Sequence, residues 1–207
     1  MNVGVLALQG DVPEHLRALA ELVGPGGVRP VYRPSDLEGL EALFLPGGES
    51  TTIGRLLAES SLREPLKARI DSGFPVLATC AGLVLLSREI EPSPGGRDPE
   101  SLGGLDVRVR RNDYGRQRES FEAALTVTGV TGPPFPGVFI RSPRIVEVGP
   151  RATPIAWRGT EVVGVGTGQV WGLAFHPELA GDPRVHKAFL AEVRGAQASA
   201  RARSTRA

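Results

Sequence analysis

The sequence predicts an α/β fold in a single domain. It combines a mixed, mostly parallel central sheet and flanking helices with additional antiparallel strands in the second half. Three observations predict it. Short apolar runs alternate with helical patterns through the first half, the signature of an open parallel sheet covered by helices. The second half keeps short strands but has little helix between them, which favours antiparallel pairing. The 207 residues, 41% hydrophobic and 23% charged, suffice to bury a core and are ordinary for one soluble globular domain.

Residues 3–8 read as a buried strand. Pro13 then falls where a first helical turn tolerates proline, and Leu16, Leu19, Ala20 and Val23 recur at helical spacing until the glycines at 24–27. Strands follow at 28–32 and 43–45, each ending in turn chemistry. Helices are expected at 51–59 and at 62–71, where Pro65 sits in the first turn. Residues 75–79 form a strand apolar enough to be buried on both faces, and 83–89 continue as a helix. The Pro- and Gly-rich stretch 91–104 reads as a loop. Short strands are expected at 123–128, 138–140, 145–148, 161–165 and 169–175, with a hairpin signal at Thr167-Gly168. A helix at 183–193 closes a domain spanning residues 1–195. The Ala/Ser/Arg-rich residues 196–207 are expected to be a flexible tail.

A net charge of +1 gives no electrostatic reason to bind nucleic acid. Setting aside Arg201, Arg203 and Arg206 leaves a slightly acidic body. No stretch approaches the roughly 20 apolar residues of a membrane helix, and the N-terminal apolar run lacks the basic flank of a signal peptide. One cysteine forms no internal disulfide, so a reducing cytoplasm is the expected location.

That cysteine, Cys80, is the only thiol available for chemistry, although a lone cysteine is more often an inert core residue. Its setting points the other way. Strand residues 75–79 run directly into Cys80-Ala81-Gly82 and a helix, the nucleophile-elbow arrangement in which a reactive side chain stands on a sharp strand-to-helix turn. Ala78 and Gly82 are small, as the close backbones require. The helix start favours a thiolate over a thiol, and the Ala81 N–H can stabilise an oxyanion. A second turn, Pro46-Gly47-Gly48-Glu49-Ser50, follows strand 43–45 at the same sheet edge. Its glycines suit an oxyanion donor, and it also reads as an ordinary turn with Ser50 as helix N-cap.

A thiolate attacking an amide needs an acid–base partner to protonate the departing ammonia. Of three histidines, His15 and His186 lie in helical patterns and are expected on solvated faces. His176 follows strand 169–175 in His176-Pro177-Glu178. Pro177 holds it extended, and in an extended segment residues i and i+2 project to the same side. Glu178 can then orient one imidazole nitrogen while the other faces Cys80.

These motifs together resemble the class-I (triad) glutamine amidotransferases. Residues 6–10 (LALQG), 46–52 (PGGESTT), 79–83 (TCAGL), 111–117 (RNDYGRQ), 138–141 (VFIR) and 175–179 (FHPEL) resemble, more particularly, the glutaminase subunits of pyridoxal 5′-phosphate synthase. The resemblance implies the amidotransferase-like α/β fold, with Cys80, His176 and Glu178 as catalytic residues and Gly48 and Ala81 as oxyanion hole. It places Gly48, Glu49, Ser50, Arg111, Ile140 and Arg141 at L-glutamine. Arginine suits the amino acid's α-carboxylate, and a carboxylate suits its ammonium. Arg111 also lies in a basic stretch with Arg108, Arg110, Arg116 and Arg118 that reads equally as a solvated surface. Ala78 stands where the pattern has glycine, and Ser142 where alanine often follows the Ile-Arg pair.

The resemblance further implies hydrolysis of glutamine to glutamate and ammonia, with no cofactor or metal in this chain. The ammonia would pass to a separate, barrel-shaped synthase subunit that builds pyridoxal 5′-phosphate. Gln9-Gly10 is the expected contact with that subunit. The alternatives are the glutaminase of another pathway, such as imidazole glycerol phosphate synthase, and a non-catalytic regulatory module on the same fold. The 46–52 segment argues against the first, and the intact triad against the second.

Overall fold

A computed structural model describes residues 1–92, 98–115 and 117–204. Residues 93–97 of the expected loop, Arg116 of the basic stretch, and 205–207 with Arg206 lie outside the described residues.

Buried aliphatic residues at Val3, Val5 and Leu6 make β1 (Val3–Leu6) a core strand. Helix α1 (Val12–Val23) carries Pro13 in its first turn and stops at Gly24, whose φ of 81° disfavours other residues. Strands β2 (Val28–Val31) and β3 (Ala42–Leu45) flank β1 in parallel. Helices α2 (Ser50–Glu59) and α3 (Arg63–Asp71) lead into β4 (Val76–Thr79), a fully buried strand as its composition predicts. Helix α4 (Ala81–Leu86) follows the cysteine directly.

The expected helix at 83–89 ends early. Ser87 caps α4, its backbone N–H returning to Leu83 and its hydroxyl donating to the Val84 carbonyl at 2.7 Å. The chain then leaves as β5 (Ser87–Ile90), which pairs with β6 (Leu105–Arg110). Sheet pairing and the contact of Arg88 with Asp106 override local helical preference there.

The second half supplies β7 (Phe121–Val127), β8 (Phe135–Phe139), β9 (Arg144–Val148), β10 (Thr153–Arg158), β11 (Glu161–Thr167) and β12 (Val170–Leu173). Strands β5, β6 and β10 go beyond the five expected there. The β11–β12 hairpin turns at Gly168, as Thr167-Gly168 signalled. Helix α5 (Arg184–Ser204) runs well past the expected end at 193. Residues 196–204, expected as a flexible tail, continue it because Ala, Arg and Gln are good helix formers and Gly195 costs only about 1 kcal/mol.

Among the described residues the main sheet has nine strands in the order β2-β1-β3-β4-β12-β11-β10-β7-β8, parallel from β2 to β12 and antiparallel beyond. Strands β5, β6 and β9 form a small second sheet. The C-terminal ends of β1, β3, β4 and β12 therefore share one edge, where ligands bind in open α/β sheets. Among the described residues no helix is long and apolar enough to cross a membrane.

Candidate active site

Cys80 follows Thr79 of β4 with φ 45° and ψ −100°, a left-handed setting that a non-glycine residue adopts only under constraint. Its N–H donates to the Leu173 carbonyl at 2.8 Å, locking the turn to the end of β12. Gly82 explains the need for small residues. A Cβ there would stand 2.5 Å from the Leu45 carbonyl and 3.1 Å from the Ala78 Cβ. The alanine methyl at 78 is thus accommodated because position 82 has none.

His176 leaves the same sheet edge after β12, and its N–H donates to the Val138 carbonyl at 2.8 Å, which ties it to β8. The ring Nδ1 lies 2.8 Å from Glu178 Oε1, as the i, i+2 spacing predicts. It also lies 3.2 Å from Asp11 Oδ2, a partner the sequence did not suggest. Asp11 sits at the N-cap of α1 but its side chain makes no cap hydrogen bond. Gly47 closes the other side of the ring, since a side chain there would collide with His176.

Burial opposes a charge on His176, but Asp11, Cys80 and Glu178 outweigh it and hold the imidazole pKa well above its ordinary value. Burial likewise opposes the Glu178 carboxylate. His15 and the hydrogen bond from His176 prevail, pushing its pKa down to about 2. Among the described residues Nε2 of His176 has no aligned hydrogen-bond partner, while the Cys80 thiol is directed to the Ile140 carbonyl at 3.8 Å. Cys80 and His176 line the same cavity, and hydrogen bonds between such groups are often long or poorly aligned before substrate binds.

A cavity of about 370 Å³ opens above these groups. Gly48, Glu49, Ser50, Arg111, Ile140 and Arg141, the residues expected at glutamine, all line it, together with Cys80, Ala81 and His176. Gln9, Asp11 and Asn112 line it too; only their positions after β1 and beside Arg111 could have signalled this. Arg141 has φ 47° and Asn112 φ 53°, so two further residues at positive φ line the cavity.

Glu49, not Ser50, caps α2, accepting from the Thr51 and Thr52 N–H groups at 3.1 and 2.6 Å. Glu49 also receives Arg111 Nη2 at 3.2 Å, and Asp98 receives Arg111 Nη1 at 3.0 Å. Arg111 is thus a buried-stem, pre-oriented guanidinium at the cavity and not part of a solvated stretch. Gln9 Oε1 accepts from the Glu49 N–H at 2.8 Å, joining the expected Gln9-Gly10 contact region to the Gly47-Gly48 turn. Ser142, where alanine is usual, is fully buried, with no partner for its hydroxyl among the described residues.

The expectation of solvated histidines fails. His15 and His186 are both 0% exposed and lie behind Glu178. His15 shares the inner face of α1 with Leu19, and His186 lies in phase with Phe189, Leu190 and Val193 on α5.

The family model of the SNO glutamine amidotransferase family matches residues 5–195. The chain is 50% identical over 197 residues to the pyridoxal 5′-phosphate synthase subunit PdxT of Thermococcus kodakarensis, covering 92% of this chain and 98% of that protein. It is 49% identical over 197 residues to the same-named subunit of Streptomyces coelicolor, covering 95% and 96%. A crystal structure of a glutamine amidotransferase superposes with a TM-score of 0.84 at 44% identity, covering 93% of this chain and 99% of that one. A chain of the PurLQS structure from Thermotoga maritima, at 18% identity and a TM-score of 0.61 over 95% and 98%, shares the fold. A family match spanning nearly the whole described body, with relatives at half identity, places this chain in the SNO glutamine amidotransferase family.

Proposed function

We propose that this chain is the glutaminase subunit of a pyridoxal 5′-phosphate synthase and that Cys80, His176 and Glu178 hydrolyse L-glutamine. One observation carries the residue assignment. The nucleophile on its constrained turn, and a histidine held at 2.8 Å by Glu178, open together into a cavity lined by all six expected glutamine residues. The pathway rests on the relatives named above.

In this reading Arg111 takes the α-carboxylate of glutamine, and Glu49, Ser50, Ile140 and Arg141 fix the rest of the amino acid. The thiol passes its proton to His176 Nε2, and the Cys80 sulfur attacks the side-chain amide carbon. Gly48 and Ala81 N–H groups receive the oxyanion. The Gly47 carbonyl is tied to the Asp11 N–H at 3.1 Å, so the Gly48 N–H leaves the opposite side of that trans peptide. His176 returns its proton to the nitrogen, the C–N bond breaks, and ammonia departs from a γ-glutamyl thioester. Water, deprotonated by His176, then attacks the thioester and releases glutamate and the thiol. Glu178 holds Nδ1–H throughout and favours the imidazolium formed at each attack.

The ammonia passes to a barrel-shaped synthase subunit in the same complex, docked near Gln9-Gly10, in the cytoplasm. Mixing the chain with its synthase subunit and following glutamate release tests this. Stimulation by that subunit is the expected result. Activation by an imidazole glycerol phosphate synthase subunit in its place would overturn the pathway.

A further inference from the structure

The triad does not end at Glu178. His15 Nε2 lies 3.5 Å from Glu178 Oε2 and 3.3 Å from Thr79 Oγ1, and Thr79 Oγ1 donates to Glu178 Oε1 at 3.4 Å. On its far side His15 Nδ1 is 3.2 Å from His186 Nε2. His15, Thr79 and His186 are completely buried. The His186 ring is stacked on Phe44, with centroids 5.7 Å apart and planes 17° from parallel, so it is a fixed support.

Protons can run through this row in only two directions. In one, His186 Nε2–H donates to His15 Nδ1, and His15 Nε2–H is aimed between Thr79 Oγ1 and Glu178 Oε2. Thr79 then accepts from His15 and donates to Glu178, and every proton points toward the carboxylate. In the other, His15 Nδ1–H donates to His186, and the bare Nε2 lone pair faces an anion. That direction also leaves an N–H on His186 Nδ1, a buried atom without a partner among the described residues. A buried N–H without an acceptor is rarer and costlier than a bare acceptor. The first direction therefore holds, and burial, which lowers both pKa values, keeps the two rings neutral.

We infer that His15, held as its Nε2–H tautomer by His186, is a positioning residue for Glu178. It presents a donor to Oε2, which has no other partner among the described residues, and, through Thr79, turns Oε1 toward His176. This rests on the triad proposed above. His15 touches no substrate and acts only through the carboxylate.

Two measurements test it. In protein labelled with ¹⁵N-histidine, long-range ¹H–¹⁵N spectra near neutral pH should show both His15 and His186 protonated on Nε2 and bare on Nδ1. A Nδ1–H tautomer at His15 overturns the proposal. In glutaminase assays with the synthase subunit present, His15→Phe removes the donor and should lower kcat about tenfold or more, the scale of lost orienting partners, with KM within about twofold. His15→Gln, which keeps an N–H near the Nε2 position, should recover most of that loss. A folded His15→Phe protein with unaltered kcat, or Phe and Gln variants equally impaired, overturns it. Should His15→Phe fail to fold, the tautomers of the unsubstituted protein decide. Cys80→Ala run alongside separates the two readings: activity surviving there refutes the triad itself.

Discussion

Asp11 Oδ2 stands 3.2 Å from His176 Nδ1, the same nitrogen that Glu178 Oε1 holds at 2.8 Å. Two carboxylates therefore share one ring proton, one buried and one about a third exposed. After burial, which lowers it, Asp11 is the foremost influence on the His176 pKa, and it raises that value. Asp11→Asn keeps the shape and removes the charge, so the imidazolium should lose its proton at lower pH. In the proposed mechanism His176 is the acid toward ammonia, so the alkaline limb of kcat/KM should move down in pH. A pH–rate profile checks this, and an unmoved limb contradicts it.

Glu178→Gln addresses orientation at nearly constant volume. The amide cannot hold Nδ1–H or favour the imidazolium as a carboxylate does. A fall in kcat of about 100-fold or more is expected, with a much smaller change in KM, since the comparable change in serine triads is costlier still. Steady-state glutamate release in the presence of the synthase subunit measures both.

Gly82→Ala tests the turn under Cys80. The new methyl would stand 2.5 Å from the Leu45 carbonyl, a backbone atom that cannot swing aside. Forced separation of β3 and α4 should cost about 1–3 kcal/mol in stability and displace Cys80, with activity falling further than stability. Denaturant unfolding and glutamate release read the two effects separately.

Acid should unfold the protein partly through its hidden histidines. Burial first, and His15 second, push the His186 pKa down to about 3 from an ordinary 6.5. A folded pKa below the unfolded one means the unfolded chain binds more protons between the two. Stability is then lost as pH falls from about 6.5 toward 3, by about 1.4 kcal/mol per pH unit for one full proton. His15 adds to this in the same direction. Glu178, lowered from 4.5 to about 2, adds its own loss only as pH falls below about 4.5, overlapping the lower part of that window. His176, raised, contributes stability that is complete below 6.5 and fades only at higher pH. His186→Leu should flatten unfolding free energy between pH 6.5 and 4.5, as denaturant titrations at several pH values would show.

The grouping of the proposed triad residues at one cavity was legible because their signals are local. A strand running into Cys80-Ala81-Gly82 dictates a turn, and His176-Pro177-Glu178 dictates two side chains on one side. Asp11 was not legible, because its contact with His176 depends on the strand order β1-β3-β4-β12, which no local pattern states. The burial of His15 and His186 had a readable signal: each lies in phase with apolar residues, Leu19 on α1 and Phe189, Leu190 and Val193 on α5. Polarity outweighed periodicity in the reading of both. Strand β5 was hidden because 83–89 is apolar at its start and helix-compatible throughout, and only pairing with β6 decides it. The extension of α5 reflects helix propensity in an Ala/Arg segment whose composition also suits a flexible tail.

The central claim is that Cys80 performs the chemistry. The measurement is the rate of glutamate release from L-glutamine by the unsubstituted chain and by Cys80→Ala, each with the synthase subunit present and each shown to be folded. The account predicts release by the first and none above background by the second. Release by Cys80→Ala at the unsubstituted rate would contradict it.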